Sequence, residues 1–211
     1  MIDREDLDET GIANLAGQVL GEFARTKVVP EMDAYVLSKL AGVAATQGHS
    51  VDGWSSDTVY STLVTTANKI QSRAGFDEEL VAFVNPEFYA ALMNTPEIVR
   101  QITVSDFKQG NIDLKVKTLN EVSIIPVAGD RMYDKFKFGD DGFSRDAGAK
   151  PVALLMLPKK SASLVKKTEV MRIFTPEQNK DADAYVFNYR LHYDVFVKKS
   201  NLDFIEAVVT A

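Results

Sequence analysis

The sequence predicts an α+β fold, and three observations carry that reading. Apolar residues recur at helical spacing through the first third of the chain. From Ile112 the period shortens to two. The last third is β-rich, and its clearest run puts Tyr185, Phe187, Tyr189, Leu191, Tyr193, Val195 and Val197 at every odd position. No internal repeat or low-complexity tract interrupts this order.

The first helix is marked by Ile12, Leu15, Val19, Leu20 and Phe23. Asp8, Glu9 and Thr10 stand just ahead of it, where acidic side chains favour the positive end of the helix dipole. Met32, Tyr35, Val36, Leu40 and Val43 carry the pattern to about Ala45. Pro30 interrupts it, so the expectation is either a kink near Val29 or two consecutive helices with Pro30 in the first turn of the second. Gly17 and Gly21, four apart, would let another backbone approach, although tolerated glycines explain them as well. After a polar turn region at 47–56, Ser56 or Asp57 caps a helix with Val59, Leu63, Ala67, Ile70 and Ala74 on its inner face. Gly75 stops it.

LVAFV (80–84) reads as a buried strand. Asn85-Pro86-Glu87 then supplies a cap, a first-turn proline and an acid, which starts a short helix carrying Phe88, Leu92 and Met93. Thr95-Pro96-Glu97 repeats that start signal. Ile112, Leu114 and Val116 alternate with Asp113, Lys115 and Lys117, the mark of a half-buried strand. VSIIPV (122–127) is another strand, residues 129–150 read as a long surface loop, and PVALLMLP (151–158) is a buried strand bracketed by prolines. The alternating run from Tyr185 is a long strand with one aromatic face, and Asn188, Arg190, His192 and Asp194 lie on the other. Lys198 to Asn201 makes a turn, and LDFIEAVV (202–209) closes the chain as a strand.

Composition narrows the function classes. The 211 residues are 45% hydrophobic and 26% charged, which suits one large domain or two packed lobes with a proper core. There is no cysteine, so a disulfide framework and a thiolate zinc site are both excluded. His49 and His192, the two histidines, leave little material for a histidine-rich metal site. The longest apolar runs, such as Val152 to Leu157, are far too short to cross a bilayer. MIDREDLDE is acidic where a secretory signal is basic and then apolar, so the protein is expected to be intracellular at synthesis.

The formal charge of −6 is unevenly spread: residues 1–60 hold 4 basic and 10 acidic side chains, residues 151–211 hold 9 and 7. Such a chain lacks the concentrated basic face of a dedicated nucleic-acid binder. The polarity would steer unlike surfaces of a self-associating protein together, with a scatter of solvated charges as the plainer explanation.

Five segments, taken in order, carry a resemblance to a known family. IDREDLDETG followed by GEFARTKVVPEMDAYVLSKLA resembles the stretch of tailed-bacteriophage major capsid proteins that leaves the extended loop and enters the long spine helix. LVAFVNPEFYAALMNTPEI is similar to their strand and short helix. NIDLKVKTLNEVSIIPVAGDRM resembles the region in which a hairpin leads into a valine-proline strand and an arginine-methionine pair. PVALLMLPKKSA and DADAYVFNYRLHYDVFVKKSNLDFIEAV are similar to the strand before the C-terminal part and to the closing strand pair.

The resemblance implies the Hong Kong 97 type shell fold, a two-lobed plate. Residues 1–45 and 163–198 would form a peripheral lobe with the spine helix and long antiparallel strands. Residues 46–162 and 199–211 would form an axial lobe with a central sheet flanked by helices. Family members carry an N-terminal arm and an extended loop before the spine helix. Met1 falls at about the end of that loop, so a truncated chain or a prophage remnant is the expectation, and assembly, cross-linking and maturation cleavage are placed in doubt. The implied function is that of a structural capsid subunit with no catalytic, cofactor or metal site. It would associate with copies of itself as pentamers and hexamers, with scaffold or portal proteins, and non-specifically with packaged DNA. It would act in the virion after assembly in the bacterial cytoplasm, without contacting a membrane. The alternatives are an encapsulin-like nanocompartment shell with a cargo-peptide groove, and an unrelated small-molecule-binding α+β domain.

Residues of chemically capable types are scattered along the chain. Asp3, Glu5, Asp6, Asp8 and Glu9 read as an exposed helix start rather than a cation site. Asp140-Asp141-Gly142 lacks the ligand spacing and terminal Glu of a calcium loop and reads as a turn. Ser163 and Lys166 fit Ser-x-x-Lys by chance, since the companion motifs of that hydrolase class are absent. His192, beside Arg190 and Asp194, has no nameable nucleophile and reads as a structural hydrogen-bonding group. Trp54 is either an interface anchor or a cover for the core edge. The lysine pairs 159–160, 166–167 and 198–199 either face packaged DNA or sit on solvated turns. Gly139 and Gly142 lack the context of a phosphate loop.

Overall fold

The computed structural model describes residues 2–3, 12–95, 103–109, 112–119, 122–139 and 142–210. In chain order, strand β1 (Ile2–Asp3) precedes helix α1 (Ile12–Phe23) and a π-helical turn over Ala24–Val28, which runs into α2 (Val29–Thr46). Pro30 sits in the first turn of α2, and the helical backbone runs on through the π turn without the break that two separate helices would show, since Phe23 and Val29 on either side are both helical. The π turn has a physical cause. Proline offers no N–H and its ring crowds the carbonyl four residues back, and one extra residue in the preceding turn absorbs the mismatch. The N–H of Val29 accordingly reaches five residues back, to the carbonyl of Ala24.

The buried stripe of α2 is Ala34, Leu37, Leu40, Ala41 and Ala44. Of the face expected from the sequence only Leu40 belongs to it; Met32, Tyr35, Val36 and Val43 are half-buried. The periodicity of large side chains marks a neighbouring face, whereas three of the five buried positions are alanines.

Strand β2 (Ser50–Asp52) leads to α3 (Val59–Ala74), which buries Val59, Leu63, Thr66, Ala67 and Ile70. Neither Ser56 nor Asp57 caps it. Thr58 holds the cap position without a side-chain cap bond, and its hydroxyl accepts the Ser55 N–H at 3.0 Å. Gly75 ends the helix at φ 96°, ψ 157°, a conformation nearly confined to glycine. Strand β3 (Leu80–Val84) passes into α4 (Pro86–Met93), where the Asn85 side chain accepts the Phe88 N–H at 2.7 Å, as the start signal requires.

Strands β4 (Thr103–Gln109), β5 (Ile112–Leu119) and β6 (Val122–Pro126) follow. No sequence pattern marked β4, and the second start signal, at Pro96 and Glu97, lies outside the described residues. A 3₁₀ turn at Gly129–Arg131 and a hairpin of β7 (Phe136–Gly139) with β8 (Gly142–Arg145) replace the expected long loop. Aromatic side chains hold that hairpin together: Phe136 meets Phe143 at 5.5 Å between centroids and Phe138 meets Tyr35 at 5.7 Å. The chain ends with β9 (Val152–Pro158), β10 (Ala162–Phe174), β11 (Ala184–Val197), a 3₁₀ segment at Lys199–Phe204 and β12 (Glu206–Val209). The turn expected at Lys198–Asn201 is present at the start of that 3₁₀ segment, with the Asn201 N–H donating to the Lys198 carbonyl at 2.9 Å, whereas the strand expected at 202–209 is shortened to its last four residues, Glu206–Val209.

The residues form two compact units, Met1–Pro30 with Leu164–Val195, and Glu31–Ser163 with Phe196–Ala211. The smaller holds a three-stranded sheet in the order β1-β11-β10. The larger is built on a seven-stranded mixed sheet, β2-β12-β9-β3-β6-β5-β4, with β3 parallel to β6 and antiparallel to β9. One face carries Leu80, Ala82, Val84, Val122, Ile124, Leu154, Met156 and Val208 against Leu63 and Ile70 of α3 and Phe88 and Leu92 of α4. Val81, Leu155, Leu157 and Ala207 point to the other face and are buried too. A strand covered on both sides has no reason to alternate, which explains the continuous apolar run of β9.

Candidate functional site

The smaller unit presents its chemistry on an open sheet. Strand β10 is its edge, and almost all of its side chains are exposed on both faces. Leu164, Val165, Val170, Met171 and Ile173 each leave between 39% and 49% of their area in water. A long edge strand with apolar side chains is the kind of surface that natural proteins cover or pair. On β11 the alternation is real but its aromatic face is only half-buried, and among the odd positions Val195 alone is fully enclosed. Phe23 of the helical segment meets Tyr189 edge-on at 6.1 Å.

Two strands are pinned by a polar contact on that face. The Tyr189 hydroxyl donates to Glu169 at 2.7 Å, and Lys166 lies 3.3 Å from the second carboxylate oxygen. Burial first, and then the bond to Glu169, push the Tyr189 phenol up to about 12. The same bond, helped by Lys166, holds Glu169 below the ordinary carboxylate range.

In the larger unit the ionic chemistry is structural. Glu206, at the start of β12, is buried and pairs with Arg73 from the last turn of α3. Arg73 also donates to the His49 ring at 2.9 Å, and His49 stands 3.5 Å from Glu206 and 3.7 Å from Asp203. A carboxylate taken out of water is tolerated only when paired, and this pair ties α3, β12 and the residue ahead of β2 together. Asp33 of α2 binds Arg131 at 2.8 Å. Burial nevertheless raises the Asp33 carboxyl above its usual value, outweighing the guanidinium.

A half-open depression of about 350 Å³ lies between the start of α4 and the β7–β8 hairpin, lined by Asn85, Pro86, Glu87, Gly129, Asp130, Met132, Tyr133, Arg145 and Pro151. The Arg145 guanidinium sits 4.2 Å over the Tyr133 ring. Its lining offers no serine, cysteine, histidine or lysine to act as a nucleophile.

The structure disperses the residues singled out in the sequence. His192 is exposed and accepts a hydrogen bond from Arg190 at 2.9 Å. Trp54 covers the core edge: its ring meets Phe88 at 5.1 Å and its indole N–H donates to Thr210 at 3.3 Å. Ser163 and Lys166 both fall on β10, where an odd separation sends side chains to opposite faces. Gly139 and Gly142 oppose each other in the hairpin register. Asp3 pairs with Ala184 through β1; Glu5, Asp6, Asp8, Glu9, Asp140 and Asp141 lie outside the described residues. Lys159 pairs with Glu79 at 3.2 Å, whereas Lys160, Lys167, Lys198 and Lys199 are exposed. Among the described residues no cluster of three or more His, Cys, Asp or Glu could hold a metal ion, and no helix is long and apolar enough to cross a membrane. The feature the sequence did not disclose is the exposed apolar surface of β10, together with Phe76 and Phe196. On β10 the apolar residues are interleaved with Lys166, Lys167, Glu169 and Arg172 without a clean alternation, so its local pattern does not say which of them meet water.

No family model and no curated protein matches the chain. Among solved structures it is similar to a chain of the asymmetric unit of the bacteriophage PhiM1 mature capsid, with a TM-score of 0.56 and 15% identity over 100% of this chain and 68% of that one. It is also similar to a chain of a Mycobacterium phage Che8 structure, with a TM-score of 0.50 and 12% identity over 99% of this chain and 67% of that one. The likeness establishes the fold: an α+β chain folded as a phage major capsid protein.

Proposed function

We propose that this chain is a structural subunit of an icosahedral phage or prophage capsid, and that it acts by packing against copies of itself into capsomers that enclose DNA. The observation that carries the reading is the likeness to the PhiM1 mature capsid chain over the whole length of this one. The exposed apolar edge of β10 supports it, because association would remove that surface from water. In this reading residues 1–45 and 163–198 form the peripheral lobe and residues 46–162 and 199–211 the axial lobe, bounds that differ from the two compact units chiefly in residues 31–45, which belong to the larger unit. Pentamers and hexamers are the assembled forms, packaged DNA is contacted without sequence preference, and scaffold or portal proteins are further partners. The reading assigns the chain no catalytic step, cofactor or metal, and places it in the virion after assembly in the host cytoplasm.

Sedimentation velocity of the purified chain, with electron microscopy of the fast-sedimenting fraction, tests this. Rings or closed shells are expected. A chain that stays monomeric across its soluble concentration range would sink the reading.

A further inference from the structure

We infer that one end of the seven-stranded sheet, centred on Phe76, is a contact surface for a second copy of this chain; the inference rests on the capsid-subunit reading and specifies one of its interfaces. Gly75 turns the chain out of α3 in a conformation nearly closed to other residues, and Phe76 follows with 72% of its area in water. It is the most exposed large apolar side chain among the described residues.

Charges of both signs stand at the same end of the sheet. Asp77, Glu78 and Glu79 come next, just before β3 pairs Leu80 with Pro158 of β9. Glu79 is occupied within the chain: its carbonyl accepts the Lys159 N–H at 2.9 Å and its carboxylate meets the Lys159 ammonium at 3.2 Å. Asp77 is exposed and Glu78 half-buried, and among the described residues neither has an ion-pair partner. The turn after β9 ends at Ser161, which is buried. Its carbonyl accepts the Lys198 N–H at 3.3 Å and its hydroxyl accepts from Asn201 at 3.4 Å. Those bonds bring Lys198 and Lys199 to the end of the sheet that carries Lys160. All three lysines are exposed, with no carboxylate partner among the described residues. Phe196, two residues before Lys198, leaves 57% of its area in water.

An exposed apolar ring with charged groups at the same end of the sheet has the composition of a contact centre. The charges select the occupant. A polyanion suits the three lysines but is repelled by Asp77 and Glu78. A second copy satisfies both sets at once, because the acids of one copy meet the lysines of the next while Phe76 is withdrawn from water.

Charge reversal in the full chain tests the assignment. Phe76→Ala should raise the concentration for half-association by roughly tenfold or more, as loss of an anchor does. The variants Asp77→Lys/Glu78→Lys and Lys160→Glu/Lys199→Glu should each sediment as smaller species, and their equimolar mixture should recover the large one. Thermal melts followed by circular dichroism check that each variant is folded. If the unmodified chain does not associate, the capsid reading fails and this interface with it. If the unmodified chain associates and all three variants do so equally, this interface alone is overturned. Undiminished association of Lys160→Glu/Lys199→Glu with lost retention on duplex DNA overturns it too, and assigns the lysines to a polyanion.

Discussion

Tyr189 and Glu169 face each other across neighbouring strands, and the proton they share has a direction in pH. The phenol, ordinarily near 10, is pushed up to about 12 by burial and by its bond to the carboxylate. Between those values the folded chain keeps a proton that the unfolded chain has lost. The stability contributed is therefore full below pH about 10 and drains away as pH rises toward about 12. Glu169→Gln keeps an acceptor and removes the charge, so the Tyr189 titration should shift partway down, burial remaining. Absorbance of tyrosinate against pH reports this, with Tyr189→Phe as the reference that isolates one phenol among the seven tyrosines. An unmoved titration in Glu169→Gln would mean that the two groups are not coupled. The sequence placed Tyr189 on the aromatic face of a long strand, which is where it lies. It could not show that Glu169 stands opposite, because that depends on the pairing of two strands whose register no local pattern fixes.

Elements were legible where punctuation and period agreed. Asn85-Pro86-Glu87 is the best case: cap, first-turn proline and acid all take the expected roles in α4. Asn85 is buried, and its backbone N–H also donates to Ala153 at 3.0 Å, so the helix start is anchored to β9. Asn85→Ala removes only the side-chain acceptor and should cost about 1 kcal/mol, and up to about 2. Asn85→Asp, which retains the acceptor, should recover most of that cost. The urea midpoint measures both, and equal midpoints for Asn85→Ala and the parent chain would remove the cap from the account. The sequence failed where tertiary contacts decide the element. The β7–β8 hairpin is short, rich in glycine and charge, and stabilised by rings that include Tyr35 from α2. The π turn before Pro30 adds one residue without breaking the helical pattern that precedes or follows it. At Lys199–Phe204, apolar residues that imitate a strand coil into a 3₁₀ segment, and Phe204 packs against the core.

At the scale of the whole molecule, five weak resemblances in the right order indicated the fold, and the structural likeness carries that fold across the whole chain. What the sequence withheld was which apolar residues end in water. Strands β9 and β10 follow each other and both contain Val, Leu and Met, yet β9 is buried on both faces, whereas β10, which also carries Lys166, Lys167, Glu169 and Arg172, is exposed on both. The difference lies in their places in their sheets, since β9 has β12 and β3 as neighbours whereas β10 is an edge. Local stability follows the same contrast, because amides open more easily where few apolar side chains cover them. In the dissociated chain, β9 amides should therefore exchange at a rate near that of global unfolding, while the outward-facing amides of β10 exchange fastest within the smaller unit's sheet. Association that pairs or covers the edge should slow exchange across Ala162–Phe174 selectively and leave β9 unchanged, since β9 has no exposed surface to lose. Hydrogen exchange read by mass spectrometry on dissociated and assembled material separates the outcomes. Protection gained at β10 identifies the strand as a contact between copies. Unchanged exchange there, in material that has assembled, would show that the exposed edge takes no part in holding the shell.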